Sequence, residues 1–160
     1  MSKKKSPVKK HSAAPIINKR ARFDYELADD LVVGIQLSGP ETRAARDGHI
    51  QLKGSFVTIK NDELFLNNAS FSIKLNQKGD ANARSVDTTP RKLLAKRKEI
   101  DQLAARKKQG MSIVPTKLLT NGRYIKLVIA LGKGKKLYDK RESLKRRQQD
   151  RESHRMIKGM

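Results

Sequence analysis

The period of the apolar positions changes along the chain, and each change marks an element. Leu31 to Ser38 (LVVGIQLS) combines β-branched residues with alternation, the pattern of a half-buried strand. Pro40 to Arg46 (PETRAAR) opens on proline, carries Glu41 early and Arg43 and Arg46 late, and stops before Gly48; this predicts a short helix with charges suited to its dipole. His49 to Lys60 (HIQLKGSFVTIK) reads as strand again, with Gly54 marking a bend or bulge. Asn61-Asp62 is a turn signal, and Glu63 to Asn67 and Ala69 to Leu75 are two further short strands. Asn76 to Val86 is polar and predicts a loop.

A helical period follows. Thr89 is placed to cap a helix with Pro90 at its first position. Leu93, Ile100, Leu103 and Ala104 share one face, Arg91, Lys92, Lys98, Arg106 and Lys108 the other, and Gly110 supplies the stop. Met111 to Thr120 and Arg123 to Leu131 are strand-like and joined by Asn121-Gly122, a hairpin signal. Six or seven short strands with one substantial helix predict a mainly β fold with a few helices. The expected architecture is an antiparallel β-barrel with an oligonucleotide-binding (OB-like) core, plus a basic C-terminal tail.

After Leu131 the apolar content collapses. Tyr138 to Lys158 is rich in helix formers, yet beyond Tyr138 its sizeable apolar side chains are Leu144, Met156 and Ile157. Such a segment is expected to be disordered when free and to become helical against a polyanion. Residues 1–17, built of Ser, Pro and Lys, are expected to be a disordered basic arm. The chain thus divides into an arm (1–17), a barrel domain (18–131) and a tail (132–160).

Charge sharpens this division. The net charge is +21, and it is not spread evenly. Residues 1–22 hold 8 basic and no acidic groups, 91–108 hold 8 and 2, and 132–160 hold 11 and 4; everything else holds 10 of each. A neutral body with three basic attachments implies a polyanionic partner, to which phosphate neutralisation and counterion release would give salt-dependent affinity. Nucleic acid fits better than an anionic membrane, because the basic segments are poor in Trp, Phe and Leu. No apolar run approaches the roughly 18 residues of a membrane span. The lysines near the N-terminus are not followed by an apolar stretch, so no secretory signal is expected. The absence of cysteine excludes disulfides and thiolate sites and fits a reducing, cytoplasmic setting.

Catalytic patterns are missing. His11, His49 and His154 are scattered, Asp29-Asp30 reads as a solvated turn, and Gly132-Lys133-Gly134-Lys135-Lys136 lacks the spacing of a phosphate-binding loop. That last segment reads as a flexible basic hinge that touches RNA backbone. Most aromatics lie in strands, where core packing is the default; Phe23 and Tyr25 are the candidates for base stacking, because they flank Lys19-Arg20-Ala21-Arg22. Backbone and shape recognition of a structured RNA suits the composition. No enzyme, no cofactor and a monomer are expected.

Several motifs resemble one family. They are Asn18 to Glu26 (NKRARFDYE), Gly34 to Gly39 (GIQLSG) with Glu41, and Gly54 to Val57 (GSFV). Arg91 to Leu94 (RKLL) with Glu99-Ile100, Gly110 to Leu118 (GMSIVPTKL), Gly132 to Arg141 (GKGKKLYDKR) and Arg155 to Lys158 (RMIK) follow in order. The set resembles small protein B, the family that binds transfer-messenger RNA (SsrA, tmRNA) and carries it to stalled ribosomes in trans-translation. The resemblance runs from about Asn18 to the C-terminus. It implies an OB-like barrel that binds the tRNA-like domain of tmRNA. It also implies a tail that becomes helical in the empty mRNA channel of the small subunit, near the decoding centre. Ribosome rescue and tagging of the nascent peptide for proteolysis would follow.

By the same resemblance, Asn18, Lys19, Arg20 and Arg22 belong to an RNA-binding opening motif, Leu94 to a position tied to RNA binding, and Lys133, Lys135 and Lys136 to a basic loop. Arg43 and Lys96 join the RNA-binding candidates. Asp139, Lys140 and Arg141 match a motif needed for tagging after RNA is bound. Met156 and Ile157, with Lys158, match an apolar pair near the end of the tail. Three positions depart from the family pattern: Val32-Val33 precede Gly34 where a Glu is common, Thr42 to Arg46 differ, and Lys96 replaces a His or Asn. The competing expectations are a structural ribosomal protein, which would associate constantly with ribosomes, and a general nucleic-acid chaperone, which would bind duplex DNA and structured RNA alike.

Overall fold

The computed structural model describes residues 14–75 and 83–158. Most of the arm and most of the Asn76–Val86 loop therefore lie outside the described residues. The elements run in the order β1 (Ile16–Ile17), α1 (Lys19–Asp24), β2 (Tyr25–Ile35), α2 (Gly39–Arg46), β3 (Ile50–Gln51), β4 (Phe56–Lys60) and β5 (Glu63–Asn67). They continue with β6 (Ser70–Lys74), β7 (Arg84–Asp87), β8 (Arg91–Leu94), α3 (Arg97–Lys108), β9 (Ser112–Leu119), β10 (Lys126–Gly134) and α4 (Leu137–Lys158).

Among the described residues, ten strands and four helices make a mixed fold around an OB-like antiparallel sheet. Seven strands pair in the order β1-β9-β10-β2-β8-β5-β4, and β4 also meets β9 at the single pair Val57↔Ile113. A second sheet holds β3, β6 and β7. Alternation along the strands sends Val33 and Ile35, Leu64 and Leu66, and Leu127 and Ile129 inward. They form one core with Phe71, Leu93, Ile113 and Leu118, against which Ile100 and Leu103 of α3 pack. Burying side chains of this kind stabilises by about 1.5–3 kcal/mol each before chain entropy is counted.

The predicted strands are present, with corrections at their ends. The segment from His49 to Lys60 divides at Gly54, whose φ of +76° is the bend that glycine supplies. Ile16 and Ile17, assigned to the arm by sequence, pair with Leu118 and Lys117. The strand expected from Leu31 is β2 and begins at Tyr25, and Asp29-Asp30 is not a turn. Ala130 pairs with Asp30 and Leu131 with Ala28, so Asp29 bulges out with φ +48° and meets Arg106 of α3 in an ion pair. Arg84–Asp87 forms β7 where a loop was expected, because it pairs with β6.

Two corrections are larger. The helix predicted from Thr89 starts at Arg97; its expected first turn is β8, paired on both sides with Leu64–Leu66 and Gly34–Ile35. Leu93 is buried in the sheet core, and Arg91 is buried rather than solvated. The Asn121-Gly122 turn is also not a two-residue hairpin. Leu119 pairs with Lys126, leaving residues 120–125 as a longer loop, because Ile125 turns into the core.

Candidate nucleic-acid interface

Buried polar groups hold the basic motifs in place. Asn18 is 5% exposed and caps α1: its Oδ1 accepts the Ala21 N–H at 3.2 Å. Its Nδ2 donates to Leu52 O at 3.0 Å and to Pro115 O at 2.9 Å. Its backbone N–H donates to Thr116 O at 2.8 Å, beside the bulge that Thr116 makes in β9. Asn18 therefore anchors the motif from inside and offers RNA no side-chain group. Lys19, Arg20 and Arg22 are exposed on the short helix it caps.

The same end of the sheet carries the second basic motif. Gly132 to Gly134 are not a hinge but the end of β10, with Gly132, Lys133 and Gly134 opposite Leu27, Glu26 and Tyr25. A side chain at Gly132 would bring a Cβ within 2.9 Å of Tyr25 Cβ, so close packing requires glycine there. Lys133 and Lys136 are exposed, and Lys135 donates from Nζ to Arg22 O at 3.2 Å and from its backbone to Asp24 O at 2.9 Å. Asp139, third residue of α4, reaches back with Oδ2 to accept the Lys136 N–H at 3.2 Å, which starts the tail helix. Lys140 meets Asp24 at 2.9 Å. Arg141 is exposed beside it, and Met156, Ile157 and Lys158 are exposed near the helix's far end. None of the 22 residues of α4 is buried.

Leu94 and Lys96 lie elsewhere. Leu94 is 54% exposed and pairs with Gly34, which in turn pairs with Lys126. A Cβ on Gly34 would approach Leu94 Cβ to 3.2 Å. Val32, 52% exposed, lies on the same side of β2 as Gly34. Of the two valines at that departure only Val32 faces out, so an apolar side chain stands beside Leu94 where the family favours an acid. Lys96 is exposed at the N-cap of α3; its N–H donates to Glu99 Oε2 at 2.9 Å, but a lysine has no acceptor to return to the helix. From Lys126 to Gly134 an extended strand spans about 26 Å. The sequence candidates therefore divide into two clusters at opposite ends of β10.

Sequence reasoning missed three residues. Arg91, 4% exposed, donates from Nε to Glu41 Oε1 at 2.7 Å, with its guanidinium 3.8 Å from the Phe71 ring centroid. It also donates to Thr89 O, Ala69 O and Asp87 O. Burial alone would raise the Glu41 pKa, but the Ser38 N–H and Arg91 outweigh it and hold the carboxyl below its usual range. This pair fastens α2 to β8. The third residue is Tyr124, 69% exposed in the β9–β10 loop, with the Arg123 guanidinium 5.4 Å from its ring. Arg46 donates to Arg123 O at 3.3 Å, and Arg43 lies exposed one turn earlier on α2. An aromatic among arginines in a loop was the available signal. Phe23 and Tyr25, the stacking candidates from sequence, are only partly exposed, and Arg20 covers Phe23 at 5.1 Å.

Among the described residues no cluster of metal-ligating side chains is present, and no helix is long and apolar enough to cross a membrane. The family model for "SmpB protein" matches residues 15–159. The chain belongs to the SmpB family. It is 43% identical over 142 residues to the SsrA-binding protein of Streptococcus mutans, covering 88% of this chain and 90% of that one. It is 44% identical to the SsrA-binding protein of Shouchella clausii over 88% and 89% of the two chains. A solved SmpB chain described as "tmRNA-SmpB: a journey to the center of the bacterial ribosome" superposes with a TM-score of 0.57 at 32% identity, covering 77% of this chain and 85% of that one.

Proposed function

We propose that this chain is the non-catalytic RNA-binding adaptor of trans-translation: it binds tmRNA and brings it to stalled ribosomes. The observation that carries the reading is the presence of two clusters of exposed basic and apolar side chains at opposite ends of one strand, on a chain that matches the SmpB family over almost its whole length. The cluster of Val32, Leu94, Lys96 and Lys126, extended by Arg43, Arg46 and Tyr124, takes the tRNA-like domain. Apolar contact and stacking supply affinity there that charge alone does not. The cluster of Lys19, Arg20, Arg22, Lys133, Lys135 and Lys136 takes ribosomal RNA at its phosphates, which needs no sequence readout.

The RNA-binding domain runs from Ile16 to Gly134, because β1 and the end of β10 belong to its sheet, and the chain from Lys135 acts as the tail. The β4–β9 pair supports a sheet closed into a barrel, the shape expected of an OB-like core. The tail is disordered on the free protein and helical in the mRNA channel, since a helix without buried side chains has little beyond its own propensity and the contact at its root to hold it. At 1.5 Å per residue, Met156 and Ile157 reach about 28 Å from Leu137 and anchor the basic helix at its far end.

The test is competition for binding at physiological salt between the tRNA-like domain, ordinary tRNA and duplex DNA of similar length. The expected result is strong preference for the tRNA-like domain, lost on Leu94→Asp but kept on removal of Lys140 to Met160. Equal affinity for all three would refute the adaptor reading and leave a general RNA-binding protein.

A further inference from the structure

The opening motif and the tail motif meet at one carboxylate. Asp24 closes α1, and its Oδ2 accepts from Arg20 Nε at 2.7 Å, while its Oδ1 faces Lys140 Nζ at 2.9 Å. Its backbone carbonyl holds the Lys135 N–H at 2.9 Å. The Asp24 and Lys140 side chains are only 23% and 28% exposed, so this ion pair is better sheltered than those of α3 with Asp62 or Asp29. Burial would raise the Asp24 pKa, but Lys140 and Arg20 outweigh it and keep the carboxyl ionised at neutral pH. One turn beyond Lys140, Leu144 and Arg147 border a groove formed by Ile16, Ile17 and Phe23.

The two ties to Asp24 act differently. The backbone bond to Lys135 fixes where the tail leaves the body. It does not fix a direction, because residues 135 and 136 separate it from α4. Lys140 lies one turn into the helix, so its contact with Asp24 fixes the tilt. No residue of α4 is buried, so this sheltered ion pair, with Leu144 and Arg147 beside the groove, is what constrains its direction. Met156 is sixteen residues further, about 24 Å along the axis, so a tilt of about 20° at the root moves it about 8 Å, more than one helical pitch.

We propose that Asp24 is a positioning residue for the tail: by bridging Arg20 and Lys140 it aims α4 relative to the RNA-bound body. This rests on the adaptor reading above and adds to it the body-side partner of Lys140. A purely electrostatic role for Lys140 at rRNA would need no such partner.

The experiment measures two quantities on the full-length chain: affinity for the tRNA-like domain, and the fraction of peptide tagged on ribosomes stalled at the end of a message. Asp24→Asn is expected to leave the affinity within twofold and to lower tagging about tenfold. Asp24→Glu should keep tagging within threefold of the parent. Asp24→Lys and Lys140→Asp should each lower tagging, and the two together should recover at least half. Urea unfolding midpoints would show that each variant is folded, and the charge exchange guards against a loss of fold in any single one. Parent-like tagging by Asp24→Asn, or an exchange no better than its singles, would overturn the proposal. A tenfold loss of RNA affinity in Asp24→Asn would also overturn it and move Asp24 to the RNA face. A parent chain that binds no tRNA-like domain would refute the adaptor reading itself.

Discussion

Replacing Glu41 by alanine tests how β8 is held to α2. The change leaves the Arg91 guanidinium buried at 4% exposure without its closest anion. Breaking a buried pair from one side costs about 3–5 kcal/mol. Arg91 keeps three carbonyl acceptors and the Asp87 carboxylate at 3.2 Å, so the lower end, about 3 kcal/mol, applies. Glu41 Oε2 also accepts the Ser38 N–H at 2.7 Å, and losing that bond adds about 1 kcal/mol. The expected loss of about 4 kcal/mol corresponds to a melting temperature lower by roughly 8–16 °C for a chain of this size. Urea unfolding of the full chain at pH 7, followed by far-UV circular dichroism, measures it. Glu41→Leu with Arg91→Met should recover most of the loss, because two apolar groups of similar shape need no pairing. A cost below 1 kcal/mol for Glu41→Ala, or a double variant no more stable than the single, would refute the reasoning. The pH dependence has a fixed sign. The folded pKa of Glu41 lies below its ordinary 4.5, so the stabilisation is complete above 4.5 and disappears as pH falls through the folded value. Glu41→Gln should flatten the acid limb of the stability curve in that window.

Three further outcomes are expected. Lys96→Asn supplies α3 with the acceptor that its N-cap lacks and should stabilise the fold by about 0.5–1 kcal/mol in the same urea assay. It should also lower the salt slope of tRNA-like-domain binding by about one, as loss of a phosphate contact does; an unchanged slope would place Lys96 off the RNA. Tyr124→Ala should weaken that binding by about 1–3 kcal/mol with the salt slope unchanged, and Tyr124→Phe should bind like the parent; equal binding by all three would remove Tyr124 from the interface. Met156→Ala with Ile157→Ala should leave tRNA-like-domain affinity intact and reduce tagging on stalled ribosomes, and parent-like tagging would show that the apolar end of the tail anchors nothing.

The strands from Leu31, Glu63 and Ala69 were legible because each buries one face, and alternation records that directly, whereas the strand from Met111 buries four residues in a row and was legible only as an apolar run. The helix was misplaced for a physical reason. Leu93, Ile100 and Leu103 keep helical spacing by coincidence, while β8 is fixed by hydrogen bonds to strands on both sides, which no local pattern encodes. Asn18 and Arg91 were read as exposed because polar residues usually are. Their burial depends on acceptors 34 and 50 residues away, at Leu52 and Glu41. The motifs of the site were readable, but not their grouping. Lys126, Gly34 and Leu94 come together only through the register of three strands, and Asp24 meets Lys140 only once β10 has returned to the start of β2.

That grouping bears on how one small basic chain can serve two RNAs. Four cations of the body sit in ion pairs: Arg91 with Glu41, Lys92 with Glu63, Arg97 with Asp62 and Arg106 with Asp29. Matched cations gain little from a phosphate, because binding would first have to break an existing pair. The basic groups of α1, the end of β10 and the tail are crowded together, with Arg20 and Lys140 sharing the one carboxylate of Asp24, so on the proposed assignment they carry most of the salt-dependent affinity. The Leu94 end carries more of the apolar contact. A protein arranged this way should lose its grip on rRNA with rising salt before it loses the tRNA-like domain, because counterion release dominates only the first. On the proposed assignment, charge would then set how readily the complex leaves a ribosome, and shape would set which RNA it carries there.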